Sequence, residues 1–336
     1  MKILINSPLF YPSIGGLEKV VSILAHEFVY LRHEVKLVSQ TSATDPQFFP
    51  FEVIRRPHPQ HLLKLIRWCD VYFQPSVSLK GILPLLISPK PWVVSHQNWY
   101  TRTNGSLGWQ DYLKHLSIRF ATNISASQAL ANHISTPSTV IPNPYQEDIF
   151  YEMPDVHRDK ELVFLGRLVS DKGVDVLLKA LANLKQINQF PRLTIIGGGA
   201  EEAQLRQQAR DLHILEQVNF VGVKVGKELA QLLNAHKIMV VPSRWQEPFG
   251  IVALEGIACG CVIVGSAGGG LKEAIGSCGL TFANGDSQAL TQVLAKLLTQ
   301  PNLLSQYRQN AASHLAHHRK AEIAKAYLKI LEETIR

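Results

Sequence analysis

Two carboxylates, Glu247 and Glu255, stand eight residues apart in the stretch EPFGIVALE, on either side of a Pro-Phe-Gly turn. The stretch follows an apolar run ending near Val241 and reads as a loop entering a helix. Pro248 suits a first helical position, and Gly250 removes side-chain bulk beside the helix start. Backbone N–H groups around Phe249, Gly250 and Ile251 would then face an anion, phosphate above all, with the helix dipole behind them. Glu247 precedes the helix, within reach of sugar hydroxyls. Glu255 lies about 9 Å further along by helical rise, within reach of a ribose. Carboxylates repel phosphate, so a pair flanking an anion site makes sense as grips on hydroxyls. Singly, each acid fits equally an ordinary helix-start charge or a surface acid.

Other residues could join that chemistry. Arg167 and Lys172 flank the loop in FLGRLVSDKGVD, where a guanidinium fork and an ammonium point charge would hold a diphosphate. A solvated loop with two common cations is the plainer alternative. Gly15 and Gly16 precede the first helix and permit backbone N–H groups to approach an anion, although the pattern is not G-x-G-x-x-G. Gly197, Gly198 and Gly199 make another strand-to-helix turn, a pattern that often serves packing alone. His96 closes the strand-like run WVVSH and suits donation to a substrate hydroxyl or backbone carbonyl, or equally the role of a satisfied structural histidine. The segment FVGVKVGKE, with Val223 in it, is the place to expect recognition of a base.

Several classes are excluded or set aside. Four cysteines form neither a metal quartet nor a disulfide framework, and buried reduced thiols in a cytoplasmic protein are expected. The run HLAHHRK is expected to be a solvated helix face. The Asn104 and Asn123 sequons stand in a chain with no sign of secretion. No Asp-x-Asp pair is present, so no metal-bound diphosphate is implied. The longest apolar stretch, Gly81 to Val94, is broken by three prolines and a lysine and does not span a membrane. Residues 1–146 hold 13 Lys/Arg against 7 Asp/Glu, a balance of +6, whereas the rest hold 21 against 20, a balance of +1. The first half should therefore meet something acidic. Without a nucleic-acid motif, a phosphorylated acceptor or the anionic inner face of a membrane is the expectation. The basic amphipathic run Arg55 to Trp68 is one place for it, unless it simply covers a sheet.

These residues need a scaffold. In the first half, KILIN, EVKLVS, DVYFQ, WVVSH, TNISA and TVIPN read as strands separated by helical patterns. The Pro-rich, charged stretch Pro142 to Glu161 interrupts the pattern, which restarts with LVFLG, RLTIIGGG, VNFVG, KIMVVPS, CVIVGS and GLTF. This alternation predicts an α/β fold with two Rossmann-like domains, 1–145 and 161–316, joined by a linker over 146–160. A C-terminal helix over 317–336 is expected to pack back towards the first domain. The C-terminal ends of two parallel sheets would flank a cleft, where open α/β sheets bind ligands.

Taken together the stretches resemble family 4 of the retaining glycosyltransferases, specifically over residues 161–285 and more loosely before them. The family's E-x7-E signature corresponds to Glu247 and Glu255, its diphosphate loop to GRLVSDKG, its N-terminal glycine loop to GGLEKV, and its GG-x-x-E element to Gly269, Gly270 and Glu273. The resemblance implies a GT-B architecture of two facing domains, the first for the acceptor and the second for the nucleotide sugar. It implies metal-independent transfer of a hexose, with retention, to a saccharide or lipid-linked acceptor, and no cofactor besides the donor. His96, Arg167, Lys172 and Glu247 would be the catalytic set. Gly15, Gly16, Gly198, Val223, Phe249, Gly250, Ile251, Val252 and Glu255 would bind the donor, with His96 against the transferred sugar. Gly256 and Cys261 stand where the family pattern has alanine and proline, and the first domain is short. A nucleotide-sugar epimerase or hydrolase of the same architecture, or a non-catalytic nucleotide-sugar-binding subunit, are the competing readings.

Overall fold

A computed structural model describes the chain apart from residues 14, 44–47 and 102–105; the Asn104 sequon lies outside the described residues. The chain divides into two compact units, Met1–Pro144 with His318–Arg336, and Tyr145–His317.

Unit 1 carries strands β1 (Lys2–Ser7), β2 (Glu34–Ser39), β3 (Glu52–Arg55), β4 (Val71–Gln74), β5 (Trp92–His96), β6 (Thr122–Ser125) and β7 (Thr139–Val140). Helices α1 (Gly16–Tyr30), α2 (Pro59–Trp68), α3 (Leu79–Ile82), α4 (Trp109–Ser117) and α5 (Gln128–His133) connect them. The sheet order is β3-β2-β1-β4-β5-β6-β7, and every pairing is parallel. Strand β3 was invisible to periodicity: it is four residues long, half-buried at a sheet edge, with charged Glu52 and Arg55 at its ends. Helix α2 starts on Pro59 with His58 as its cap. Leu65 and Ile66 are buried and Leu62 and Trp68 pack on the core, so the basic run Arg55 to Trp68 is a sheet-covering helix.

Unit 2 carries β8 (Lys160–Leu165), β9 (Leu193–Ile196), β10 (Val218–Gly222), β11 (His236–Val241), β12 (Val262–Ser266) and β13 (Gly279–Phe282). Its helices are α6 (Val174–Gln186), α7 (Glu202–Asp211), α8 (Gly226–Asn234), α9 (Ile251–Ala258), α10 (Leu271–Ile275), α11 (Ser287–Thr299), α12 (Pro301–Gln309) and α13 (Ala311–Ala316). The order β10-β9-β8-β11-β12-β13 is again wholly parallel. Apolar strands such as LTII and VIVGS are buried on both faces, as a sheet covered by helices on both sides requires. Gly256 is explained here: a Cβ on it would lie 2.5 Å from Met239 Sδ and 2.9 Å from Ile263 Cδ1, so α9 sits too close to the sheet for alanine without repacking.

The last helix, α14 (Lys320–Ile335), returns to unit 1 and packs on α1, β4 and β5. The run HLAHHRK is not a uniformly solvated face. His314 Nε2 lies 2.8 Å from the Ala274 carbonyl, and buried His318 lies 3.0 Å through Nδ1 from the Asn143 carbonyl. All four cysteines are free and buried.

Candidate active site

In unit 2 the strand order reverses between β8 and β11, the kind of switch point outside whose strand ends open α/β sheets bind ligands. The loop after β8 ends in a 3₁₀ turn, Ser170–Lys172, and in Gly173 at φ +66°. A Cβ on Gly173 would stand 2.0 Å from the Pro242 carbonyl oxygen, so only glycine lets this loop meet the loop after β11. Two backbone bonds join the same loops: the N–H groups of Arg244 and Trp245 donate to the Asp171 carbonyl at 2.8 and 3.2 Å. The Arg244 guanidinium grips the Asp175 carboxylate with two nitrogens, Nε at 3.2 Å.

The stitched loops bring Lys172 and Glu247 together. Lys172 Nζ lies 2.5 Å from Glu247 Oε1, and Ser243 Oγ donates to the same oxygen at 2.6 Å. The Glu247 backbone is held separately: its carbonyl accepts from Gly270 N–H at 2.7 Å, and it bridges to Gly269 at φ +73°. A Cβ on Gly269 would lie 2.2 Å from that carbonyl oxygen. The GG-x-x-E glycines therefore position Glu247. Asn284, in the loop after β13, accepts from Gly268 N–H at 2.8 Å and turns its amide towards the Ser243, Arg244 and Trp245 carbonyls.

After Glu247 the chain passes buried Phe249 and reaches Gly250 at φ +100°. Gly250 is the N-cap of α9 and, being glycine, lays no side chain over the helix start. Ile251 is buried and Val252 half-buried in the first turn, and Glu255 is fully buried further along α9. Arg167 is exposed in the loop after β8.

The glycine turn after β9 has a packing role. Cβ atoms on Gly197 and Gly199 would lie 1.8 Å from the Gly166 carbonyl oxygen and 2.3 Å from that of Leu168. Gly198 differs, because a Cβ there would meet only the Val223 side chain at 3.3 Å. Val223 is exposed, so Gly198 and Val223 form one accessible patch beside the loop carrying Arg167.

Two expectations for unit 1 meet a different environment. His96 is fully buried: Nε2 lies 2.9 Å from Asn123 Oδ1 and Nδ1 2.7 Å from Tyr100 Oη. Asn123 gives its amide hydrogens to the Ile118 and Ala121 carbonyls, so its oxygen accepts from His96 Nε2–H. Both ring nitrogens are satisfied, which is the structural alternative and not a donor aimed at a sugar. Burial pushes the ring's pKa down to about 4, with His115 and His133 adding to the effect and the Asn123 bond opposing it. Asn123, buried and bonded, is no glycosylation site. At the start of α1, Gly15 is extended at φ −164°, and the carboxylate in the space beside it is the chain's own Glu18, bonded to Ser13 Oγ at 2.6 Å. Gly16 begins the helix.

Sequence reasoning missed Ser243, the Arg244–Asp175 clamp and Asn284. Ser243 stands two residues past the strand end in VVPSR, and that placement was a usable signal. Asn284 carries none, since only the topology brings the loop after β13 to the loop after β11. Among the described residues, no group of three or more His, Cys, Asp or Glu is arranged to hold a metal ion.

The two wholly parallel Rossmann-type sheets, one in each unit, are those of the GT-B class of fold. The chain belongs to the glycosyl transferases group 1 family, whose model matches residues 146–314. The glycogen synthase of Mycobacterium tuberculosis is 38% identical over 154 residues, covering 45% of this chain and 37% of that protein. A D-inositol 3-phosphate glycosyltransferase of Stackebrandtia nassauensis is 36% identical over 166 residues, 46% of this chain and 37% of that protein. The match thus spans less than half the length of either relative. In fold, the chain is similar over 99% of its length to sucrose-phosphate synthase from Thermosynechococcus elongatus, with TM-score 0.85, 20% identity and 98% of that chain covered. It is similar over 99% of its length to Anabaena HepE in complex with UDP and glucose, with TM-score 0.82, 20% identity and 100% of that chain covered.

Proposed function

We propose that this chain is a retaining glycosyltransferase of family 4, moving a hexose from a nucleotide diphosphate sugar to a saccharide or lipid-linked acceptor without a metal. The observation that carries the reading is the meeting of Lys172, Ser243 and Glu247 at the switch point of unit 2, one turn of chain before the uncapped start of α9. Lys172 is the cation for a donor phosphate, assisted by Arg167 and by the backbone N–H groups of Phe249, Gly250, Ile251 and Val252 around the start of α9. Glu247, held at its backbone by Gly269 and Gly270, is then free in its carboxylate to exchange Lys172 for sugar hydroxyls. Charge growing on the leaving phosphate is stabilised by groups already in place, which costs no reorganisation during the reaction. Glu255, fully buried in α9, serves as the ribose contact only when donor binding uncovers its carboxylate, and Gly198 with Val223 lines the base.

Relatives named as glycogen synthase and inositol phosphate glycosyltransferases, and a fold neighbour holding UDP and glucose, support a nucleotide-sugar donor. The basic unit 1 suits an acceptor that is anionic or held at an anionic surface. Calorimetric titration with UDP, GDP and ADP, without added metal, tests the reading. Binding of one nucleotide, followed by transfer from its sugar to an acceptor with the anomeric configuration kept, is the expected result. Donor turnover without acceptor would favour the epimerase or hydrolase, and binding without turnover a non-catalytic subunit. No binding at all would remove the donor site.

A further inference from the structure

Helix α4 is built inside out. At 3.6 residues per turn, Trp109, Tyr112, Leu113 and Leu116 fall within an arc of about 100°, the apolar stripe that ordinarily faces a core. Here that arc faces outward. Trp109 is 67% exposed, Tyr112, Leu113 and Leu116 are exposed, and no residue of the helix is buried. The polar side is the one turned in. Lys114 Nζ lies 5.6 Å from the ring centre of buried Tyr100, His115 stacks edge-on to the same ring at 5.9 Å, and Asp111 bonds back to Gly108 N–H at 2.9 Å. The stripe continues past the helix into Phe120, 81% exposed.

The neighbouring crossover repeats the pattern. Between β4 and β5, Leu83, Leu86 and Ile87 are exposed on a 3₁₀ turn, while Leu85 of that turn joins the core beneath Tyr100 and Ile118. Both crossovers cover the same face of the sheet, since they share that core. Eight large apolar side chains on one exposed layer exceed what a monomer scatters by chance. The layer is also cationic. Residues 57–121 hold seven Lys/Arg and two Asp, and Lys64, Arg67, Lys80 and Arg119 are exposed. Unit 1 as a whole holds 18 Lys/Arg (13 + 5) and 10 Asp/Glu (7 + 3), a balance of +8; unit 2 holds 16 and 17, a balance of −1.

We infer that this face docks on an anionic lipid bilayer, with α4 lying in the interface. Trp and Tyr belong at the boundary between headgroups and acyl chains, Leu and Phe just below it, and the lysines and arginines at the phosphates. The charge selects the occupant. A symmetric pairing of two copies would set the same cations against one another, whereas an anionic surface complements them. No described helix is long and apolar enough to cross a membrane. The inference goes beyond the transfer reaction and holds whichever sugar is moved.

The full chain, sedimented with vesicles of phosphatidylcholine alone or with about 30% phosphatidylglycerol, should bind the anionic vesicles at least about tenfold more tightly. Trp109→Ser/Leu113→Ser/Leu116→Ser should lose about tenfold or more of that binding with melting temperature and nucleotide titration unchanged, because those side chains are exposed. Lys80→Glu/Arg119→Glu should lose it too, and wild-type binding should fall as salt is raised. Trp emission should shift blue on anionic vesicles in the wild type and less in Trp109→Phe. Absence of binding to anionic vesicles overturns the inference. So does full binding by the triple variant, or a dimer of the wild type that the triple variant abolishes with no vesicle binding in either.

Discussion

At the scale of single residues, the candidate site rests on an ion pair. Lys172 is half-buried against Glu247, and under the proposed function a donor phosphate competes with that carboxylate for the ammonium. Lys172→Ala should therefore lower transfer by about 10²–10³-fold. The same change should alter urea stability by less than about 1 kcal/mol, because the pair is partly exposed and Ser243 still bonds Glu247. Full transfer by the variant would remove the phosphate role. His96 leads to a different measurement. Its folded pKa, about 4, lies below the ordinary 6.5, and buried His236 is likewise held at about 4, chiefly by burial. Protons then prefer the unfolded chain. Stability is complete above pH 6.5, is lost as pH falls from 6.5 towards 4, and levels off below, with a slope of up to about 1.4 kcal/mol per pH unit for each ring. Melting followed from pH 7.5 to 4.5 should show this fall, reduced in His96→Gln. A flat profile would mean the rings are protonated in the fold. The residue scale is also where the sequence was most legible. Lys172 and Glu247 were singled out by type and position, and the structure brings the two together in one ion pair. The role of His96 was not legible, because one residue at a strand end looks the same whether its ring meets a substrate or Asn123.

Elements place those residues, and glycines decide how closely they approach. Gly173 and Gly226 both have positive φ, +66° and +57°, yet their surroundings differ. A Cβ on Gly226 meets nothing within 4 Å, whereas one on Gly173 strikes the Pro242 carbonyl. Gly226→Ala should cost only the left-handed strain, about 1 kcal/mol. Gly173→Ala adds the displacement of the loop after β11, so it should cost more than about 2 kcal/mol and lower nucleotide affinity as Ser243 and Glu247 shift. Urea unfolding and nucleotide titration of the two variants test this, and equal costs would show that the loops are not wedged together at Gly173. Strand periodicity revealed twelve of the thirteen strands among the described residues; β3, four residues with charged Glu52 and Arg55 at its ends, has no apolar run to mark it. The sequence pointed to α2 as the amphipathic basic helix, but α2 turns its apolar side to the sheet. Helix α4 has the same kind of pattern facing the other way, and period alone does not say which side of a helix meets the core.

On the scale of the whole molecule, unit 1 is discontinuous in sequence, and α14 completes it. Tyr327 is fully buried, its ring edge-on to Phe73 at 5.8 Å and its hydroxyl 2.8 Å from Ser95 Oγ at the C-terminal end of β5. Ile323, Ala324, Leu328 and Leu331 are buried with it. Amphipathic spacing marked this helix in the sequence, but which sheet it serves depends on contacts hundreds of residues apart. Tyr327→Ala should cost unit 1 about 3–5 kcal/mol, by analogy with other large aromatic truncations in cores. Arg167, Lys172, Glu247 and Glu255, proposed for the donor, all lie in unit 2. In a calorimetric melt of the full chain, the transition that bound nucleotide raises should thus stay in place. The other transition should fall by roughly 10 °C, as expected for a body of 163 residues (144 + 19) losing that much stability. A nucleotide affinity unchanged at 15 °C would accompany it. If the two transitions fall together, the units unfold as one cooperative body, and stability lent by α14 to the sheet of unit 1 then reaches the donor site through the whole protein. That outcome would also change how the site variants are read, since a loss of transfer by any unit 1 substitution would then carry a contribution from global unfolding.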